Sequence, residues 1–152
     1  MPIWDSLPPE ERRKLINERL TPGRVLLLHC KFTVPPKEKF VVVAAVVPDP
    51  LFFVVNSKVN DYIRKRDWLM QCQVEIRHEE HSFLNHRSFI DCTQAYQIPL
   101  SEVYAQIERE ITRLKDEIQP EVRHQIISAV KFSKTLSAKH KTDILLSLDD
   151  NA

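Results

Sequence analysis

Apolar residues recur along this chain with two different periods, and the change from one to the other marks out its organisation. Val25-Leu26-Leu27-Leu28-His29-Cys30-Lys31-Phe32-Thr33 opens as an unbroken apolar run and ends in alternation, which predicts a strand over 24–33 that is buried on both faces at its start. Phe40 to Val47 is rich in β-branched residues and unbroken, as a central strand is. The turn Pro48-Asp49-Pro50 then leads it into another apolar strand, Leu51-Phe52-Phe53-Val54-Val55. This turn and the loop Val34-Pro35-Pro36-Lys37-Glu38-Lys39 are short and proline-bearing, so 24–33 is expected to pair antiparallel with 40–47, and 40–47 with 51–57. Cys72, Val74 and Ile76 alternate with Gln71, Gln73, Glu75 and Arg77, the pattern of a strand with one face in the core and one in water. Arg87 to Tyr96 supplies a further strand.

The helical period appears at both ends. Pro8-Pro9-Glu10-Glu11 suits a first helical turn, and a short charged helix is expected to run to Leu20, making 1–21 an N-terminal appendage. After Pro99, Ser101 is expected to cap a helix with Val103, Ile107, Ile111, Leu114 and Ile118 on one stripe. Pro120 starts another helix through Val122, Ile126, Ala129 and Val130, and Ser137 caps a last one through Ile144, Leu145 and Leu148. The charged stretch between Val59 and Leu69 reads as a loop or a helix of one or two turns. Strands joined by short turns and followed by helices define an α+β domain over 22–152, a curled antiparallel sheet or open barrel of about five strands with two or three helices packed over it.

Composition narrows the chemistry. The chain has 152 residues, 43% of them hydrophobic, enough for one core. Its 22 basic residues face 21 acidic ones, a net charge of +1, so no global field draws in a polyanion and any nucleic-acid contact must be local. The single glycine, Gly23, excludes a Walker A loop, a G-x-G-x-x-G fingerprint and a G-x-S-x-G elbow, each of which needs glycine where backbone nears phosphate or takes positive φ. Cys30, Cys72 and Cys92 lack C-x-x-C spacing and are expected as reduced thiols of a cytoplasmic protein. The N-terminus has no basic flank or apolar signal core, and the longest apolar run, Phe40 to Val47, is too short to span a bilayer, so no membrane association is expected.

Three constellations could carry chemistry. His78, His81 and His86, with His29, Cys30, Cys72 and Cys92, include the right ligand types for zinc but not a paired doublet at finger spacing. Cys30 beside His29 and Cys92 beside Asp91 are not dyads, because neighbours on a strand point to opposite faces. The third group lies at the ends of the first three strands: Lys31, Thr33, Lys37, Lys39, Asn56, Ser57 and Lys58. Cations beside a hydroxyl are what in-line attack at a phosphodiester requires, since the transition state concentrates negative charge on phosphoryl oxygens.

The order of residues resembles the PemK/MazF-like toxin family. Gly23-Arg24-Val25-Leu26-Leu27, a proline-containing loop and Lys39-Phe40-Val41-Val42-Val43 are similar to its opening strands, and Val54-Val55-Asn56-Ser57 to the strand end that bears its Thr or Ser. Gln73-Val74-Glu75-Ile76, then Asn85-His86-Arg87-Ser88-Phe89-Ile90, then Tyr96-Gln97-Ile98-Pro99 follow in register, and the match covers roughly 22–136. The resemblance implies an SH3-like barrel with C-terminal helices, a homodimer, a small antitoxin partner, and cleavage of single-stranded RNA by its own 2′-hydroxyl without metal or cofactor. It implies Lys39 and Ser57, or Asn56 in its place, as catalytic residues; of the strand-end group, Lys31, Lys37 and Lys58 are then expected as RNA contacts. Lys39 stands where the family has arginine, a point charge replacing a bidentate fork, and Phe40 stands where the family has proline. The expected function is an endoribonuclease or a relative that retains RNA or partner binding. The rival expectations are an adaptor barrel that binds a peptide, and a His/Cys metal-binding regulator.

Overall fold

The computed structural model describes residues 2–46 and 49–149. Val47, at the end of the expected second strand, and Pro48 of its turn lie outside the described residues. Two short helices open the chain, α1 (Pro2–Ser6) and α2 (Pro9–Arg19), followed by β1 (Arg24–Cys30), β2 (Lys37–Ala45) and β3 (Leu51–Asn56). Two single-turn helices, α3 (Asp61–Arg64) and α4 (Asp67–Met70), lead to β4 (Gln73–Ile76) and β5 (Ser88–Gln97). Helix α5 (Leu100–Arg109), a 3₁₀ turn, β6 (Leu114–Glu117), α6 (Pro120–Phe132) and α7 (Ala138–Leu148) complete the fold.

The six strands form one antiparallel sheet in the order β4-β5-β3-β2-β1-β6, curled into a half-barrel. Both expected hairpins are present, with Val25 opposite Val42 in the first and Val41 opposite Val54 in the second. The first hairpin is tighter than expected: Lys37, Glu38 and Lys39 belong to β2, and Lys37 pairs with Cys30.

The unbroken apolar runs of the central strands have a direct cause, since both sheet faces are covered. Val42, Phe53, Val55, Val74 and Ile90 pack with Ile126, Val130 and Ile144 of α6 and α7. The alternate residues Leu26, Leu28, Val41, Val43, Phe52 and Val54 pack with Val103 and Ile107 of α5. Of the segment expected as an appendage, Trp4, Ile16 and Leu20 are buried in this same cluster, and the Trp4 indole donates to the Glu108 carbonyl at 3.0 Å.

The helix expected from Ser101 to Ile118 is corrected. It starts at Leu100 with Pro99 at the cap position and ends at Arg109, because Glu110 turns extended (φ −151°, ψ 95°). Residues 114–117 then pair with β1, adding a sixth strand where about five were expected. The edge of β1 outweighs helix propensity here: Ile118 N–H donates to Gly23 C=O at 2.9 Å, and the Arg113 guanidinium donates to Leu27 C=O at 2.8 Å. Where β6 ends, the Gln106 amide accepts from His29 N–H at 2.8 Å and donates to His29 C=O at 3.2 Å.

Other local readings are observed as expected. Ser137 caps α7 by accepting from His140 N–H at 3.1 Å, and the stretch 59–69 forms short helical turns, the first of them capped by Asn60, a cap the sequence reading did not include, which accepts from Ile63 N–H at 2.9 Å. Gly23 takes φ 93°, a conformation only glycine adopts without strain, as the chain enters β1.

Candidate functional site

Lys39 is half-buried on β2, opposite Leu28 of β1. The β2–β3 register, with Val41 opposite Val54, places Asn56 beside Lys39 on its other flank. The Lys39 ammonium donates to the Asn56 Oδ1 across the strands. An ammonium has three N–H donors, so this bond leaves two for a ligand. Burial lowers the Lys39 pKa from its ordinary value, and the like charge of Lys37, two residues earlier on the same side of β2, lowers it further; the charges of Cys30 and Asp91 act in the opposite direction.

Asp91 on β5 is the carboxylate of this cluster. Its Oδ1 accepts from Gln73 Nε2 at 2.8 Å, Thr93 N–H at 3.0 Å and Thr93 Oγ1 at 2.5 Å. Those bonds hold the carboxylate in place, and among the described residues no basic side chain is in direct contact with it. Tyr96 lies close by, its phenol pushed up first by burial and then by the charges of Asp91 and Cys30. Phe32, from the β1–β2 loop, stacks on the Tyr96 ring with centroids 4.0 Å apart. Burial pushes the Cys30 thiol up to about 11 against the opposing pull of Lys39, which leaves it protonated and a poor nucleophile at neutral pH.

Of the residues singled out in the sequence, Lys39 and Asn56 meet directly, and Lys37 is near enough to perturb Lys39. Ser57 is exposed one residue past β3, and among the described residues its hydroxyl makes no hydrogen bond. Lys58 is exposed beside it. Lys31 is engaged by Glu102 of α5 at 3.4 Å. The Thr33 hydroxyl is taken up within its own turn, by Cys30 C=O at 3.0 Å and Pro35 C=O at 2.9 Å.

The histidines disperse. His81 is buried, with Nδ1 3.0 Å from Arg77 C=O and Nε2 accepting from Gln119 N–H at 3.2 Å, an arrangement that fixes the neutral Nδ1–H tautomer. His78 faces Glu79 at 3.5 Å, and His86 bonds the Arg87 carbonyl at 3.0 Å. The three cysteines are free and buried. Among the described residues no group of three His, Cys, Asp or Glu side chains stands where it could hold a metal ion.

Sequence reasoning weighed Asp91 only as a neighbour of Cys92 and passed over Gln73, Thr93 and Tyr96 as site residues. The available signal was Asp91 itself, a carboxylate between the apolar residues Ile90 and Cys92 of a strand that is paired on both sides.

No protein-family model matches the chain, and no curated protein matches it. Among solved structures it is similar to the Mycobacterium tuberculosis toxin MazF-mt6, with a TM-score of 0.44 and 11% identity over 70% of this chain and 90% of that one. No described helix is long and apolar enough to cross a membrane.

Proposed function

We propose that the protein binds single-stranded RNA through Lys39, Asn56 and Lys37 and acts there as a metal-independent endoribonuclease. The observation that carries this reading is the half-buried Lys39 ammonium, anchored on Asn56 and lowered in pKa by burial. It supplies a fixed positive charge for phosphoryl oxygens together with a proton that is released more readily than from an ordinary lysine. In the proposed reaction the 2′-hydroxyl attacks the adjacent phosphorus and the bond to the 5′-oxygen breaks. The 2′-proton passes to water and Lys39 protonates the departing oxygen, giving a 2′,3′-cyclic phosphate and a 5′-hydroxyl. Asn56 holds the ammonium in position, and Lys37 draws the strand in. Ser57 and Lys58 lie immediately beyond Asn56, and Lys31 lies on the neighbouring loop; these would contact the flanking phosphates. The residue order shared with PemK/MazF-like toxins supports the same assignment and extends it to a small antitoxin, a homodimer and a cytoplasmic setting.

A fluorophore- and quencher-labelled single-stranded RNA, incubated with the protein with and without EDTA, tests the reading. Cleavage that EDTA leaves intact and Lys39→Ala removes is expected. Neither cleavage nor saturable RNA binding by the wild-type protein would eliminate it. Binding without cleavage, lost in Lys39→Ala, would leave an RNA-binding protein.

A further inference from the structure

The two edges of the sheet differ in how they are protected. On β6, Lys115, Asp116 and Glu117 place consecutive charges along the edge, a common guard against strand addition. On β4 there is a single charge, Glu75, and it is drawn to Arg87 of the neighbouring segment at 3.8 Å. Cys92 N–H donates to Cys72 C=O at 2.9 Å, which fixes the phase of the β4–β5 ladder. In an antiparallel ladder the bonded pairs alternate, so Val74 and Ile76 face β5 with their backbone groups, while Gln73 and Glu75 turn theirs outward. Among the described residues nothing pairs with those outward N–H and C=O groups.

Beside this edge α6 forms the other wall of a cleft of about 730 Å³. Gln71, His124, Gln125 and Ser128 line it, and their side chains have no hydrogen-bond partner among the described residues. His124, Gln125, Ser128 and Phe132 share one face of α6 by their spacing, and Phe132 stands 38% exposed at the Gln71 end. Towards the other end the cleft continues into a smaller one of about 290 Å³ that shares Glu121 and Gln125 and adds Glu75, Glu80 and Arg77. Arg77 is drawn to Glu79 at 3.5 Å and Glu75 meets Arg87 at 3.8 Å, which leaves Glu80 and Glu121 as the carboxylates at that end without a basic partner among the described residues.

We propose that the β4 edge and the α6 wall bind an extended peptide of a partner protein, which adds to the sheet as an antiparallel seventh strand. The charge pattern sets its chemistry: antiparallel to β4, its N-terminal half meets Glu80 and Glu121 and carries lysine or arginine, and its C-terminal end places an apolar side chain on Phe132. The backbone groups of Gln73 and Glu75 supply sequence-independent hydrogen bonds, and the polar stripe of α6 reads side chains. A second copy of this chain is a poor occupant, because its β4 laid antiparallel would set the uncharged Gln71 and Gln73, and no basic side chain, against Glu80 and Glu121. Lys39 lines neither part of this cleft, and Gln73 meets it with its backbone while its side chain holds Asp91, so the proposal does not depend on the RNA reading.

The test is fluorescence anisotropy with a fluorescein-labelled, C-terminally amidated peptide, Lys-Val-Lys-Val-Leu, on the full chain. Saturable binding is expected, weakened about ten-fold or more when alternate peptide amides are N-methylated. Glu75→Pro deletes an outward N–H while leaving the β4–β5 ladder intact, and it should weaken binding comparably. Should that variant fold poorly by circular dichroism, the exposed Glu121→Lys gives the charge test, with several-fold weaker binding expected. Lys39→Ala should bind the peptide unchanged. Equal binding of the N-methylated peptide, equal binding of Glu-Val-Glu-Val-Leu, or no saturable binding at millimolar concentration would each overturn the proposal. So would concentration-dependent dimerisation that Glu75→Pro abolishes, since the edge would then belong to a second copy.

Discussion

Gln106 of α5 pairs with His29 of β1 as a neighbouring strand would, its amide oxygen accepting from His29 N–H at 2.8 Å and its nitrogen donating to His29 C=O at 3.2 Å. The side chain thus continues the pairing that β6 stops providing after Leu26. Gln106→Ala leaves both backbone groups to water, and because the position is exposed the cost should be modest, about 1 kcal/mol. Urea denaturation measures it. An unchanged midpoint would mean that Gln106 only follows the edge and does not hold it.

For the RNA reading, Lys39→Ala should reduce cleavage 100- to 1000-fold, the usual cost of about 2.7–4 kcal/mol for a lost donor aimed at developing charge. Lys39→Arg should retain activity through its bidentate fork. Asn56→Ala should lower the rate by less, because it releases the ammonium without removing it. If Lys39 is the proton donor, the lowered pKa moves the alkaline loss of activity below the range of an ordinary lysine, and a pH–rate profile of wild-type against Lys39→Arg reads this directly. Coincident profiles would remove Lys39 as the acid.

The buried thiols make stability fall at alkaline pH. Cys30 is neutral in the fold up to about 11, whereas in the unfolded chain it ionises near 9. Its contribution is therefore complete below pH 9 and is lost as pH rises towards 11, a change on the order of 2 kcal/mol. Cys72 and Cys92 are raised by burial in the same direction. The urea midpoint should fall across that window and fall less in Cys30→Ala. Native protein should also react slowly with iodoacetamide at neutral pH, with all three thiols becoming reactive on unfolding.

His81 is predicted to act through its two backbone contacts. His81→Ala leaves Gln119 N–H and Arg77 C=O unpaired near the core and should cost about 2–3 kcal/mol in thermal or urea denaturation. EDTA should leave the melting temperature of the wild-type protein unchanged. A shift on chelation would return the histidines to metal binding.

Much of this fold was legible because burial on both faces writes itself as continuous apolar sequence. Val41-Val42-Val43 and Phe52-Phe53-Val54 reveal central strands without any knowledge of their partners. The sixth strand was hidden because Leu114 and Ile118 fall on the same helical stripe as Val103 and Ile107, and only the open edge of β1 decides between the two structures. At the site, a strand-end cation and a strand-end amide could be read from Lys39 and Asn56. Their meeting depends on a register that local sequence sets only approximately. Asp91 and Tyr96 join the same neighbourhood through a break in the β3–β5 register between Phe52 and Val54, which no short-range pattern announces.

The turn at Gly23 ties distant parts of the chain together. Its N–H donates to Val43 C=O at 2.8 Å, its C=O receives Ile118 N–H at 2.9 Å, and a Cβ there would lie 3.1 Å from the Arg123 guanidinium, which itself donates to Pro22 C=O at 3.1 Å and Leu148 C=O at 2.8 Å. The central sheet, the sixth strand and both C-terminal helices thus share one junction between the clusters on the two sheet faces. In native-state hydrogen exchange such a junction removes the option of independent opening: amides beneath α5 and amides beneath α6 should exchange with one common free energy, and the layers of this protein should be lost together.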